Sequence, residues 1–261
     1  MAFERRVLGD DIYALVETSL EDDGFLAAFT ERTGGASEEP RFASLDLSYS
    51  AGDDPARVRE NRVRVARPLG TGLLTVGGQV HGMRIAAVGS REAGRGYRGP
   101  EDVIADTDGL YTDLPGVALA VATADCVPVV LASADEGRIA VIHAGWRGVA
   151  AGIVERAAAL FAQPGEARVA IGPSARPCCY EVDEAVVLAV VGSDRREAAM
   201  RQEGDRLYLD LPGTIGGVLS ELGFGRVEDA RACTIHEAER FFSHRRQGAC
   251  GRQMAIGMRF V

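Results

Sequence analysis

The chain reads as short apolar runs parted by polar turns, with few stretches that carry a helical repeat. Ile12-Tyr13-Ala14-Leu15-Val16 and Phe25-Leu26-Ala27-Ala28-Phe29 predict two strands around an acidic turn at Glu21-Asp22-Asp23-Gly24. Similar runs predict strands at 72–76, 84–88, 117–122, 127–131, 138–142, 168–171 and 254–261. Asp53 or Asp54 before Pro55 reads as the start of a helix that ends near Pro68-Leu69-Gly70. A second helix is expected over about 148–161, where Ile153, Val154, Ala157, Ala158, Leu160 and Phe161 share a face. Two more are expected near 183–191 and over 212–222, the latter capped by Asp210. Gly, Ser and Pro mark 31–40 as a loop, and a Gly- and Arg-rich connection fills 89–101. Strands and helices do not alternate strictly, which argues against a doubly wound sheet. The expected class is α+β, a layered mixed α/β fold, with a single domain over 1–261 because neither linker nor repeat stands out.

Composition narrows the function. With 261 residues, 46 % hydrophobic and 26 % charged, the chain can bury a core of ordinary size. A net charge of −9 and a pI of about 5.1 argue against a nucleic-acid or anionic-membrane partner. No run approaches the roughly 20 apolar residues of a membrane span. Met1-Ala2-Phe3-Glu4-Arg5-Arg6 lacks the apolar stretch of a secretory leader, so a cytoplasmic location is expected. Five cysteines without regular spacing fit reduced thiols.

Chemistry concentrates in Gln79-Val80-His81-Gly82, Thr123-Ala124-Asp125-Cys126-Val127-Pro128 and His143-Ala144-Gly145-Trp146-Arg147-Gly148. Each places a reactive side chain at the end of a β-like run. Two imidazoles and a thiolate form a ligand set that zinc favours, and three protein ligands leave a fourth position for chemistry. The chain lacks the paired C-x-x-C knuckles of structural zinc sites, so the three would have to meet through tertiary structure. Asp125 could orient an imidazole or act as a general base. Gly82 and Gly145 would allow close approach to the ligands. Other readings stay open: Cys126 as a small packed hydrophobe, the histidines as ordinary satisfied residues, or Cys126 and His143 as nucleophile and base of a hydrolase. Cys178-Cys179 reads as packing in a Pro- and Gly-bounded loop, with a second metal or redox site as the alternative. Cys233 and Cys250 read as structural, and His236 as exposed.

Together with Ile171-Gly172-Pro173, Cys178-Cys179-Tyr180-Glu181-Val182 and Phe241-Phe242-Ser243-His244-Arg245-Arg246, these segments closely resemble the laccase-domain family. That family is variously called multicopper polyphenol oxidase, purine nucleoside phosphorylase or peptidoglycan editing factor. The resemblance runs from Phe29-Thr30-Glu31-Arg32-Thr33-Gly34-Gly35 to Gly251-Arg252-Gln253. It implies an αββα layering and a zinc site at His81, Cys126 and His143. It also implies phosphorolysis of adenosine, inosine and methylthioadenosine, with adenosine deamination. Copper is the alternative metal, although four histidines are few for a true multicopper oxidase. The chain departs from the family at His244, where Tyr is usual, which bears on the wall of the C-terminal pocket.

A phosphorolytic reading assigns further roles. Arginine forks suit phosphate, and Arg147, four residues past His143, is the first candidate. Arg62 and Arg245 or Arg246 follow, each with a solvated surface role as the alternative. Gln79 and Trp146 complete the substrate-binding set, Trp146 as a stacking partner for the base or as a packing anchor. Cys126, Asp125 and Arg147 form the catalytic set. Competing functions are a Cys-His amidase acting on peptidoglycan precursors, a copper-dependent phenol oxidase, and a non-enzymatic partner of cell-wall proteins with a structural metal. The expected partners are small molecules, a purine nucleoside and phosphate.

Overall fold

Several central strands are apolar on both faces, because each lies between two buried layers. The computed structural model describes residues 2–192 and 199–261. Its first strands are β1 (Phe3–Gly9), β2 (Ile12–Glu17), β3 (Phe25–Thr30), β4 (Leu74–Val76), β5 (Ile85–Ala87), β6 (Gly109–Thr112), β7 (Ala118–Thr123) and β8 (Val127–Ser133). Then come β9 (Arg138–Ala144), β10 (Arg168–Ile171), β11 (Glu181–Val182), β12 (Met200–Glu203), β13 (Arg206–Leu209), β14 (Arg226–Asp229) and β15 (Gln253–Arg259). The α-helices are α1 (Thr18–Asp22), α2 (Pro55–Leu69), α3 (Trp146–Ala150), α4 (Ile153–Ala158), α5 (Glu184–Val191), α6 (Leu211–Glu221) and α7 (His244–Gln247).

One six-stranded sheet runs β1-β2-β3-β15-β7-β4, a second runs β14-β10-β8-β9-β6-β5, and a small sheet runs β11-β13-β12. Alternate residues of each central strand enter different cores. On β8, Val127, Val129 and Leu131 pack with Ile153 and Val154 of α4 and Ile215 and Leu219 of α6. Val130 and Ala132 face the other way and meet Phe25 and Phe29 of β3 and Leu119 and Val121 of β7. Beyond the first sheet, Leu26, Ala28, Ala120 and Ile256 pack with Val65 and Ala66 of α2. The order is helix, sheet, sheet, helix: the αββα layering that the resemblance implied.

Helix α2 starts and stops where the sequence predicts. Asp54 accepts from the Ala56 amide, Pro55 opens the first turn, and Gly70 closes the helix in a left-handed conformation. Other expectations need correction. The helix predicted over 148–161 is two short ones, α3 and α4, because Gly152 sits at φ +94° between them. The acidic turn is partly helical: α1 forms where Glu17 accepts from the Ser19 and Leu20 amides. Strands β1, β6, β11 to β13 and β14 were not predicted from the sequence. None of the described helices is long and apolar enough to cross a membrane.

Candidate metal centre

The site forms where the chain crosses from one large sheet to the other. Strand β7 belongs to the first sheet and β8 to the second, and Ala124-Asp125-Cys126 makes the crossing between them. The segment carrying His81 makes a second crossing, from β4 to β5. His143 lies near the end of β9, opposite Pro128 of β8, and shares the parity of Ile139 and Val141, which face between the sheets. The donor atoms of His81, Cys126 and His143 therefore meet, all within 4.8 Å of one another. The two imidazoles are edge-on, with centroids 4.9 Å apart.

A buried carboxylate that the sequence reading missed holds this group in shape. Asp108 precedes β6, and β6 pairs antiparallel with β9, so the Asp108 backbone carbonyl accepts from the His143 amide at 2.7 Å. The Asp108 side chain then does two jobs. Its Oδ1 lies 2.8 Å from His143 Nδ1, leaving Nε2 of that ring for a ligand. Its oxygens also accept from the backbone amides of Val80, His81 and Gly82 at 3.1, 2.9 and 2.8 Å. Those three bonds stabilise a left-handed His81 at φ +59°, a conformation that a non-glycine residue keeps only when its surroundings over-determine it. Burial pushes the Asp108 carboxyl upward, but His143 and the loop amides outweigh it and hold it below the usual carboxylate range. The expectation that Asp125 orients an imidazole is corrected here, since Asp108 fills that position.

Electrostatics favour a thiolate. Burial opposes ionisation of Cys126, yet His143 and His81 pull the thiol below its ordinary range. Burial likewise opposes the charged form of His143, and the Cys126 charge and Asp108 together raise it. Gly145 completes the cradle: a Cβ there would lie 3.1 Å from Cys126 Sγ and 3.1 Å from His81 Cδ2. The donor set and the clearance that only glycine leaves beside it fit a metal.

The three donors line a cavity of about 500 Å3, within the usual range for a small-molecule site. The same wall includes Gln79, Arg62, Asp125, Trp146, Arg147 and Arg245, but not Arg246. Their polar groups are not equally free. Both oxygens of Asp125 are engaged, one by the Thr234 hydroxyl at 2.7 Å and one by the Arg245 amide at 2.6 Å. Gln79 pairs its amide with the backbone N–H and carbonyl of Ala122, each at 2.8 Å, and so clamps the site loop to β7. The Arg245 guanidinium donates to the Glu181 carbonyl and lies over the Tyr180 ring. Arg147 is exposed, stacks on Trp146 at 4.2 Å and has no carboxylate partner among the described residues.

Neither surface alternative offered for the second-rank arginines holds. Arg62 is buried, donates to the carbonyls of Leu47, Gly96 and Tyr97, and lies over the Tyr49 ring. With no acid to neutralise it directly, burial pulls its guanidinium down to about 10. Arg246 is spent on the carbonyls of Thr234, Ile235 and Phe241, which braces the C-terminal loop. His244, the departure from the family pattern, does line the cavity, as do Tyr180 and Arg252. His236 is exposed, as expected.

A second thiol group also emerges. The Sγ atoms of Cys178, Cys179 and Cys233 lie within 4.8 Å of one another, so Cys233 is not an isolated packing residue. Cys250 is buried beside Ala124 and Phe242, in keeping with a structural role.

Known proteins resemble this chain over most of its length. The family model described as multi-copper polyphenol oxidoreductase laccase matches residues 26–259. A protein of Geobacillus stearothermophilus named purine nucleoside phosphorylase YlmD is 37 % identical over 250 residues, covering 90 % of this chain and 91 % of that one. The Escherichia coli protein named purine nucleoside phosphorylase YfiH is 34 % identical, over 89 % of this chain and 93 % of its own. The crystal structure of YlmD from Geobacillus stearothermophilus superposes with a TM-score of 0.90 at 33 % identity, covering 100 % of this chain and 99 % of that one. The match spans both large sheets and every ligand of the candidate centre, and on it the chain belongs to the multi-copper polyphenol oxidoreductase laccase family.

Proposed function

We propose that the protein is a zinc-dependent purine nucleoside phosphorylase, releasing a free base and a sugar 1-phosphate from adenosine, inosine or methylthioadenosine. The observation that carries this reading is the shared wall: a His-Cys-His donor set, an aromatic side chain and an arginine free of carboxylates line one cavity. Relatives named for the activity, similar over nine-tenths of the chain, support it. His81, Cys126 and His143 would hold the metal. One thiolate and two imidazoles suit zinc, with copper as the alternative. When bound, such an ion supplies a Lewis acid that polarises an oxygen of a ligand. Arg147 presents its fork to phosphate. The Trp146 ring, which Arg147 covers, offers a face for the purine. Tyr180 keeps its proton, because burial and the charge of Cys126 push it up to about 12, and can donate to the departing base.

Incubating metal-replete protein with inosine and phosphate tests this. Hypoxanthine and ribose 1-phosphate are expected, with loss of activity in Cys126→Ala. If no base is released, or if release is unchanged in that variant, the reading fails. Adenosine deamination would need a carboxylate to move protons. The carboxylate on the cavity wall is Asp125, already engaged on both oxygens, so we place phosphorolysis first. Ammonia release from adenosine without phosphate is the separate test for deamination.

One observation favours a second reading. Asp108, His143 and Cys126 are connected in the order of an orienting acid, a base and a nucleophile, as in a cysteine hydrolase acting on peptidoglycan precursors. Activity that survives exhaustive chelation, together with a covalent adduct on Cys126, would favour it over the metal enzyme.

A further inference from the structure

We propose that Cys178, Cys179 and Cys233 form a second metal-binding site, for a thiophilic d10 cation such as Zn2+, separate from the His81–Cys126–His143 centre. Cys178 and Cys179 lie in the turn between β10 and β11, and Cys233 lies in the segment after β14. Parallel pairing of β10 with β14 brings the two segments together, and a backbone bridge joins Ser174 to Cys233. Arg176 ties them again through both oxygens of Asp229, at 2.8 and 2.7 Å. These contacts bring the three sulfurs within 4.8 Å of one another. A tetrahedral site with Zn–S bonds of about 2.3 Å places its sulfurs about 3.8 Å apart, so the thiols need to close by only about 1 Å at most.

Three thiols on two loops suit a metal better than a disulfide. A bridge between Cys178 and Cys179 would join adjacent residues, where the geometry is strained, and would leave the Cys233 sulfur unused. A cation engages all three and leaves one position for water. Access is open, because Cys178 is exposed at the edge of a shallow cavity with Pro177, Met200, Arg201 and Asp210. The other two sulfurs are progressively shielded, Cys179 partly and Cys233 fully. Soft sulfur donors select Zn2+, Cd2+ or Cu+ over oxygen-loving cations. An ion there would cross-link the turn carrying Tyr180 to the segment carrying Thr234, whose hydroxyl holds Asp125. It would therefore brace the wall of the nucleoside cavity from outside without touching the substrate.

Cadmium titration of the full-length, reduced protein tests the site, because Cd2+–thiolate absorption reports the number of sulfurs bound. The wild type should bind two equivalents, one with a single sulfur and one with three. Cys178→Ser/Cys179→Ser should bind one equivalent and keep the base-releasing activity. His81→Ala/Cys126→Ala should also keep one, the three-sulfur species. A wild type that takes up no three-sulfur equivalent, or a Cys178→Ser/Cys179→Ser variant that still shows it, would overturn the proposal. Alkylation of the wild type by iodoacetamide, read by mass, covers the case in which a variant does not fold. Cd2+ should protect Cys178 and Cys179, and equal modification with and without Cd2+ would also end the proposal.

Discussion

Asp108 shows how much one buried carboxylate can organise. It is not itself part of the cavity wall, yet it sets the orientation of one histidine there and the backbone of another. Asparagine is nearly the same size but carries no charge and replaces one acceptor oxygen with a donor. Asp108→Asn should therefore weaken metal binding about 10–100-fold, the usual cost of losing such a support, while leaving the fold intact. Competitive metal titration against a chelator checks this, and an unchanged affinity would show that the imidazole orients without help. Arg147 makes a contrasting case, because its guanidinium stacks on Trp146 and has no carboxylate partner among the described residues. Arg147→Met should raise KM for phosphate at least tenfold with little change in metal content or melting temperature. A rise in KM for the nucleoside alone would move the phosphate site to another arginine, with Arg62 next.

At the level of elements, the junction between β9 and α3 carries most of the chemistry. His143 is the last residue but one of the strand, Gly145 caps the helix, and Trp146 and Arg147 are its first two residues. Gly145 has an ordinary φ of −72°, so its role is clearance rather than backbone freedom. Gly145→Ala should push Cys126 and His81 apart and cost about 10–100-fold in metal affinity, with a much smaller change in stability of the metal-free protein. Equal loss in both measurements would mean that the residue serves the fold and not the centre. This junction was legible in the sequence, since an apolar strand running into His-Ala-Gly-Trp-Arg-Gly leaves few alternatives. So were strands β8 and β9 and the caps of α2, where local chemistry decides the outcome. Asp108 was not legible, because its role depends on β6 pairing with β9, and a four-residue strand with glycine at its start carries almost no pattern. The polar bonds that commit Asp125, Gln79 and Arg246 to the fold were hidden for the same reason. They span from 5 to 120 residues of sequence, and spacing says nothing about them.

Across the whole molecule, Glu31 joins parts of the chain that no single element connects. Its buried carboxylate accepts from Arg5 on β1 through both oxygens at 2.8 Å, and from Arg240 at 2.8 and 2.7 Å. Arg240 lies in the segment leading to Ser243, His244 and Arg245, so the N-terminal edge strand and the C-terminal wall of the cavity meet at one acid. Burial pushes Glu31 upward, but the two arginines outweigh it and hold the carboxyl below its ordinary range. A depressed acid stabilises the fold above its unfolded value, about 4.3, and loses that contribution as pH falls through the lower folded value. Glu31→Gln keeps the shape and removes the charge. Because both arginines are partly exposed and can turn to water, the cost at pH 7 should be about 1–3 kcal/mol, a drop of several degrees in Tm. The gap between wild type and variant should stay constant down to about pH 5 and shrink below about pH 4. Asp46, which burial pushes up to about 6, titrates in the opposite sense but is present in both proteins and cancels from the difference. Paired thermal melts at neutral and acid pH measure this directly. A gap that is absent at pH 7, or that widens in acid, would show that the acid does not hold the two ends of the chain together.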